Sequence, residues 1–102
     1  MKTVMVRYKV KAERAGENES YIHKVFEQLK RDQTPGLRYA SFKLADGVSF
    51  VHIASREAAD DSNPLGELAA FKVFTAQIGE RCEEPPVAVD LNEVASYHFF
   101  GE

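Results

Sequence analysis

The chain has 102 residues, 44% hydrophobic and 28% charged, a length suited to one core and a composition that excludes disorder, collagen-like repeats and coiled coil. Its 13 Lys+Arg against 16 Asp+Glu give a formal net charge of −3, which offers no electrostatic footprint for nucleic acid or an anionic membrane. A single domain over residues 1–102 is expected. Charges at Lys2, Arg7 and Lys9 interrupt the opening run, and no stretch approaches the ~18 apolar residues of a membrane span, so the expected location is cytoplasmic. Cys82 is the sole cysteine, which leaves no intrachain disulfide and no cysteine-based zinc framework. Neighbouring Glu80, Glu83 and Glu84 disfavour a thiolate there, so a space-filling role is expected.

Thr3 to Val10 alternates, with Val4, Val6, Tyr8 and Val10 on one face and Thr3, Met5, Arg7 and Lys9 on the other, the period of a strand. After the polar segment KAERAGENES, residues Ile22, Val25, Phe26 and Leu29 recur at helical spacing and predict a helix from about Glu17 to Asp32. Acidic Glu17 and Glu19 at its start and basic Lys30 and Arg31 at its end complement the helix dipole. Thr34-Pro35-Gly36 stops it, because proline cannot continue the hydrogen-bond ladder.

Leu37 to Ala45 and Val48 to Ser55 read as two strands joined by Asp46-Gly47, a connection that favours a type I′ turn. Its register sets Ala45 against Val48, Lys43 against Phe50 and Ser41 against His52. One face then carries Ala40, Phe42, Leu44, Val51 and Ile53. The other is mixed, with Leu37, Tyr39, Ser41, Phe50, His52 and Ala54. Both faces offer something to bury, and two helices cover only one, so a second copy of the chain is the expected cover for the other. On this reading a monomer would leave the mixed face exposed.

Arg56 to Ser62 reads as a loop, and Asn63-Pro64 as a capped helix entry. Leu65, Leu68, Phe71, Phe74, Ile78 and Cys82 trace a helical stripe to Arg81, with a break expected near Gly66. Glu83-Glu84-Pro85-Pro86 ends that helix. Val87, Val89 and Leu91 begin a last strand, continued from Val94 to Phe100 after a bulge at Asn92-Glu93. Phe99-Phe100 would be wasteful if exposed, which suggests a docked tail. The order is β-α-β-β-α-β, an α+β ferredoxin-like antiparallel four-stranded sheet with two helices on one face.

MVRYKVK as an opening strand, the Asp46-Gly47 hairpin into SFVHIAS, the NPLGELAAFKVF helix and the closing VASYHFF resemble the antibiotic-biosynthesis-monooxygenase-like group of the dimeric α+β barrel superfamily over essentially the whole chain. The resemblance implies two ferredoxin-like sheets meeting face to face as a barrel, with a ligand cleft between helices and sheet in each protomer. It further implies cofactor-independent monooxygenase chemistry on aromatic or polyketide-like substrates, or a non-catalytic ligand-binding or structural module. Family members that oxygenate polyketides tend to use a cleft tryptophan and asparagine, and this chain has no tryptophan. Haem-degrading relatives use a histidine on the second helix, and the segment from Pro64 to Cys82 contains none.

Of three histidines, His23 falls on the flank of the first helix, where a solvated side chain is expected. His52 sits mid-strand among apolar neighbours on the face of Tyr39, Ser41 and Phe50, where an imidazole can serve as a general base for a small aromatic ligand. The structural alternative is an imidazole satisfied by Ser41 or across a dimer interface. Arg7 and Tyr97 are candidates to join it, supplying a cation and a phenol to hold an acidic or phenolic substrate, although a strand arginine commonly snorkels to a sheet edge. His98, close to the end of the chain, ranks below His52. The histidines lack metal-ligand spacing, so no metal is expected. The glycines form no phosphate-cradling loop, so no nucleotide cofactor is expected. Glu57, Asp60 and Asp61 read as a solvated loop rather than a calcium site.

Overall fold

The computed structural model describes residues 2–57 and 63–99. Strand β1 (Lys2–Val10) passes through a 3-10 turn at Ala12–Arg14 into helix α1 (Ala15–Asp32). Strands β2 (Leu37–Lys43) and β3 (Ser49–Arg56) follow, then three short helices, α2 (Pro64–Glu67), α3 (Ala69–Ala76) and α4 (Ile78–Arg81), and finally strand β4 (Cys82–Leu91). The strands form one antiparallel sheet in the order β2-β3-β1-β4. This is the expected α+β ferredoxin-like arrangement.

Local chemistry explains most element ends. Arg14 pairs with Glu17 at 2.6 Å in the first turn of α1, and the helix closes at Gln33 in the left-handed conformation (φ 47°). Asn63 caps α2 by accepting the Gly66 N–H at 3.2 Å, with Pro64 at the first helical position as expected. The second helical stretch is not continuous. It breaks at Leu68, which is extended, and again at Gln77. Both Leu65 and Leu68 are buried, and the change of direction lets them reach the core together. Leu68 gives α3 no side-chain cap. Instead Gln28 on α1 accepts the Ala70 N–H at 2.9 Å, so one helix caps another.

The hairpin register is as expected, with Lys43 opposite Phe50 and Ser41 opposite His52. Its turn is not type I′, which would need two successive residues with positive φ. Only Gly47 is left-handed, at φ 79°. The Asp46 carboxylate holds the loop by accepting the N–H groups of Val48 and Ser49 and the Ser49 hydroxyl, at 2.9, 2.8 and 2.6 Å. Those three donors keep the carboxyl down at about 2.

The last strand also differs from expectation. It begins at Cys82, includes Pro85 and Pro86, and ends at Leu91; residues 92–99 form no strand. Leu91 lies opposite Thr3, so β1 has run out of partners beyond it. The prolines fall where the register slips between the Arg7–Val87 and Lys9–Glu84 pairs, on an edge strand that spares their missing N–H. The expected loop residues 58–62, with Asp60 and Asp61, and the terminal Phe100 lie outside the described residues.

The helices pack on one face of the sheet. Tyr8, Val10 and Phe50 from the strands meet Ile22 and Val25 of α1 and Leu65, Leu68 and Phe74 of the later helices in one buried cluster. This is the mixed face, so the helices cover it and not a second copy. The alternation fixes the outcome: Tyr8 and Val10 share a face with Phe50 and His52, and their combined apolar area exceeds that of the hairpin alone. The opposite face carries Phe42, Val87 and Val89, which are 45%, 60% and 41% exposed. Among the described residues no helix is long and apolar enough to cross a membrane.

Candidate functional site

His52 lies in β3 between Ser41 of β2 and Val6 of β1, and its side chain points under the helices, 4% exposed. Both ring nitrogens are engaged. Nε2 lies 2.7 Å from Tyr8 Oη, and Nδ1 lies 2.6 Å from Ser41 Oγ and 2.9 Å from Tyr39 Oη. The expected contact with Ser41 is therefore present, and two phenols join it. The imidazole is the centre of a row of five rings, Phe50, Tyr8, His52, Tyr39 and Phe26, whose successive centroids are 5.6, 5.3, 5.8 and 5.1 Å apart.

The row extends inward as a polar chain. Asn18 Nδ2 donates to Tyr8 Oη at 2.9 Å, and Arg81 Nε donates to Asn18 Oδ1 at 3.2 Å. Asn18 and Arg81 are 0% and 1% exposed. The guanidinium also donates to the Phe74 carbonyl at 2.6 Å and stacks over the Tyr21 ring at 4.7 Å. No carboxylate forms an ion pair with Arg81 among the described residues. No buried side-chain polar atom among them lacks a partner, as a buried network requires to be stable.

Burial sets the charge states. It holds His52 down at about 4, pushes Tyr39 up to about 12 and raises Tyr8 further still. All three are neutral near pH 7. Burial also raises the Cys82 thiol, partly offset by Arg81, which agrees with a space-filling cysteine.

Beside this row lies a cavity of about 250 Å³ between the helices and the sheet. Val6, Tyr39 and His52 line it from the strands, and Phe71, Phe74 and Ile78 from the helices. Its walls are apolar throughout, because Tyr8, Tyr39 and His52 turn their polar atoms to one another and their ring carbons to the cavity. A small apolar molecule fits such a space. Among the described residues no group of His, Cys, Asp and Glu is arranged to hold a metal ion.

Of the residues singled out from sequence, Tyr39 and Ser41 meet His52, and Phe50 is linked to it through the Tyr8 ring; of these three, Tyr39 also lines the cavity. Arg7 and Tyr97 do not. Arg7 sits opposite Val51 and Val87, one residue out of phase with Val6, so its side chain belongs to the open face. Tyr97 lies beyond β4, 86% exposed, with its ring edge against His98. His23 is exposed as expected. Phe99 shares a shallow depression on the open face with Phe42 and Ile53, so the tail lies against the chain's own sheet.

Sequence reasoning missed Tyr8, Asn18, Arg81, Phe71 and Phe74 as site residues. A signal existed for three of them. Asn18 falls on the Ile22, Val25, Leu29 stripe and Arg81 on the Phe74, Ile78 stripe, so each is a polar residue at a buried helical position; Tyr8 carries the one polar atom on the Val4, Val6, Val10 face.

No family model matches the chain, and no curated protein does. Solved structures do. A candidate antibiotic biosynthesis monooxygenase from Nitrosomonas europaea superposes with a TM-score of 0.77 at 21% identity, covering 93% of this chain and 100% of the other. A similarly described protein from Caulobacter crescentus gives 0.71 at 24% identity over 92% and 90%. SnoaB, a cofactor-independent oxygenase from Streptomyces nogalater, gives 0.69 at 18% identity over 93% and 94%. The chain has the fold of these antibiotic-biosynthesis-monooxygenase-like proteins.

Proposed function

We propose that the protein binds a small aromatic or polyketide-like molecule in the cavity under α3 and oxygenates it without a cofactor; its structural neighbour SnoaB is a cofactor-independent oxygenase. The observation that carries this reading is an apolar cavity of about 250 Å³ bordered by the rings of Tyr8, Tyr39 and His52. His52 stays unprotonated above about pH 4, so it serves as the proton acceptor through Tyr8, which also borders the cavity, with Tyr39 beside the substrate and Ser41 holding the imidazole. The test is a thermal-shift screen with phenolic and quinone-like compounds, followed by oxygen consumption with each compound that binds. A screen in which no such compound raises the melting temperature ends this reading.

One observation favours a second reading, a ligand-binding module without turnover. Both nitrogens of His52 are already paired within the protein, which leaves no idle base. Compounds that bind without oxygen consumption would support it.

The open sheet face supports a homodimer. Phe42, Val87 and Val89 stand exposed there on three different positions of one face, a surface that a second copy would cover. Light scattering should report twice the 11.5 kDa chain mass, with an interface above the ~2,000 Å² of permanent pairs. Val89→Glu should return the monomer.

A further inference from the structure

We propose that Arg81, acting through Asn18 and Tyr8, sets the direction of the hydrogen bonds around His52 and so holds the neutral imidazole in its Nδ1–H form. The inference goes beyond the binding reading above and does not depend on a ligand.

The argument begins at the arginine, because a guanidinium only donates. Arg81 Nε donates to Asn18 Oδ1 at 3.2 Å, which fixes which end of the amide is oxygen. Asn18 Nδ2 must then donate to Tyr8 Oη, 2.9 Å away. Tyr8 is 2% exposed, so its single hydroxyl proton needs a partner inside the protein, and His52 Nε2 at 2.7 Å is that acceptor. Nε2 therefore carries no proton, and the neutral ring holds its proton on Nδ1, the reverse of the tautomer that free histidine prefers in water. Nδ1–H donates toward Ser41 Oγ at 2.6 Å and Tyr39 Oη at 2.9 Å. Tyr39 borders the cavity with its ring, while its hydroxyl is turned toward Nδ1 and Ser41.

Without the arginine the same side chains could satisfy one another in either direction. Arg81 thus acts as a positioning residue: it touches no ligand, yet it decides which nitrogen of His52 carries the proton.

The test reads the tautomer directly. In protein labelled with nitrogen-15 histidine, the ring shifts and couplings of His52 should show Nδ1 protonated and Nε2 bare at pH 7. Asn18→Asp keeps the shape but replaces the donor by an acceptor, and the carboxylate it introduces pairs with Arg81. Tyr8 should then donate to that carboxylate, and His52 should switch to the Nε2–H tautomer. Tyr8→Phe, which removes only the hydroxyl, should release the ring to the same tautomer and serves if Asn18→Asp does not fold. A merely structural network would keep one tautomer throughout. Wild-type protein with Nε2–H, or a tautomer unmoved in both variants, overturns the proton chain.

Discussion

The two faces of this sheet are built by the same strands with the same alternation, and they solve opposite problems. Under the helices, the buried Arg81, Asn18 and His52 are joined with Tyr8, Tyr39 and Ser41 in one continuous polar chain. On the far side, Phe42, Val87 and Val89 stand beside Arg7 and Arg38 with large apolar area still in water. A polar group is tolerated inside when every donor meets an acceptor, and an apolar group outside needs only a surface to meet. The covered face is therefore sensitive to the loss of single atoms, and the open face to what approaches it.

Matched truncations should break the symmetry most plainly. Phe74→Ala deletes a ring 3% exposed that contacts His52 and Phe71, and urea denaturation should show a loss of about 3–5 kcal/mol. Phe42→Ala on the open face should cost less than about 1 kcal/mol at low protein concentration, with a larger loss only where copies pair. Equal losses at every concentration would remove the distinction between the faces.

Acid should reach the covered face first. His52 titrates at about 4 in the folded chain against 6.5 when free, so between those values the unfolded chain binds more protons. Stability from keeping the ring neutral is complete above pH 6.5 and falls as pH drops toward 4, by about 3 kcal/mol in all. The Asp46 carboxyl, held down at about 2 from 3.8, adds a further decline below pH 4. Denaturation curves at pH 7 and pH 4 for wild type and His52→Gln should isolate the imidazole's part. An identical decline in the variant would assign it elsewhere.

His52→Ala removes the junction of the chain and strands Tyr8 and Ser41, and calorimetry should record a loss of about 1–3 kcal/mol. If ligand affinity survives that change in full, His52 serves the fold and not the substrate. The mildest change is Gln28→Ala. It removes the cap that α1 supplies to α3, and should cost about 1 kcal/mol, with amide exchange quickening mainly at the start of α3.

The layout of the sheet was legible because it depends on periodicity. The hairpin fixed its own register, and the shared face of Tyr39, Ser41, Phe50 and His52 followed from parity alone. Parity also decided against Arg7: it alternates with Val6, and the pairing of Val6 with His52, which needs β1 aligned with β3, sends it to the opposite face. The polar chain was harder to read. Asn18 sits in a charged stretch and Arg81 at a helix end, where such residues usually face water, and only their shared approach to Tyr8 explains their burial. The cap from Gln28 to Ala70 spans 42 residues, and nothing local announces it. The last strand was misplaced because Pro85-Pro86 reads as a terminator unless the strand is known to lie at an edge.

That pair of prolines has a consequence for how the molecule meets its own kind. The outer rim of β4 is one of two places where a further strand could add by main-chain pairing, the usual route to edge-to-edge aggregation. Across Pro85 and Pro86 the rim has no N–H to offer, and Glu83, Glu84 and Asp90 place negative charge along the same strand. An incoming chain finds an interrupted template on this side. Open-ended growth of ribbons through this rim is thereby blocked by the chain's own covalent chemistry.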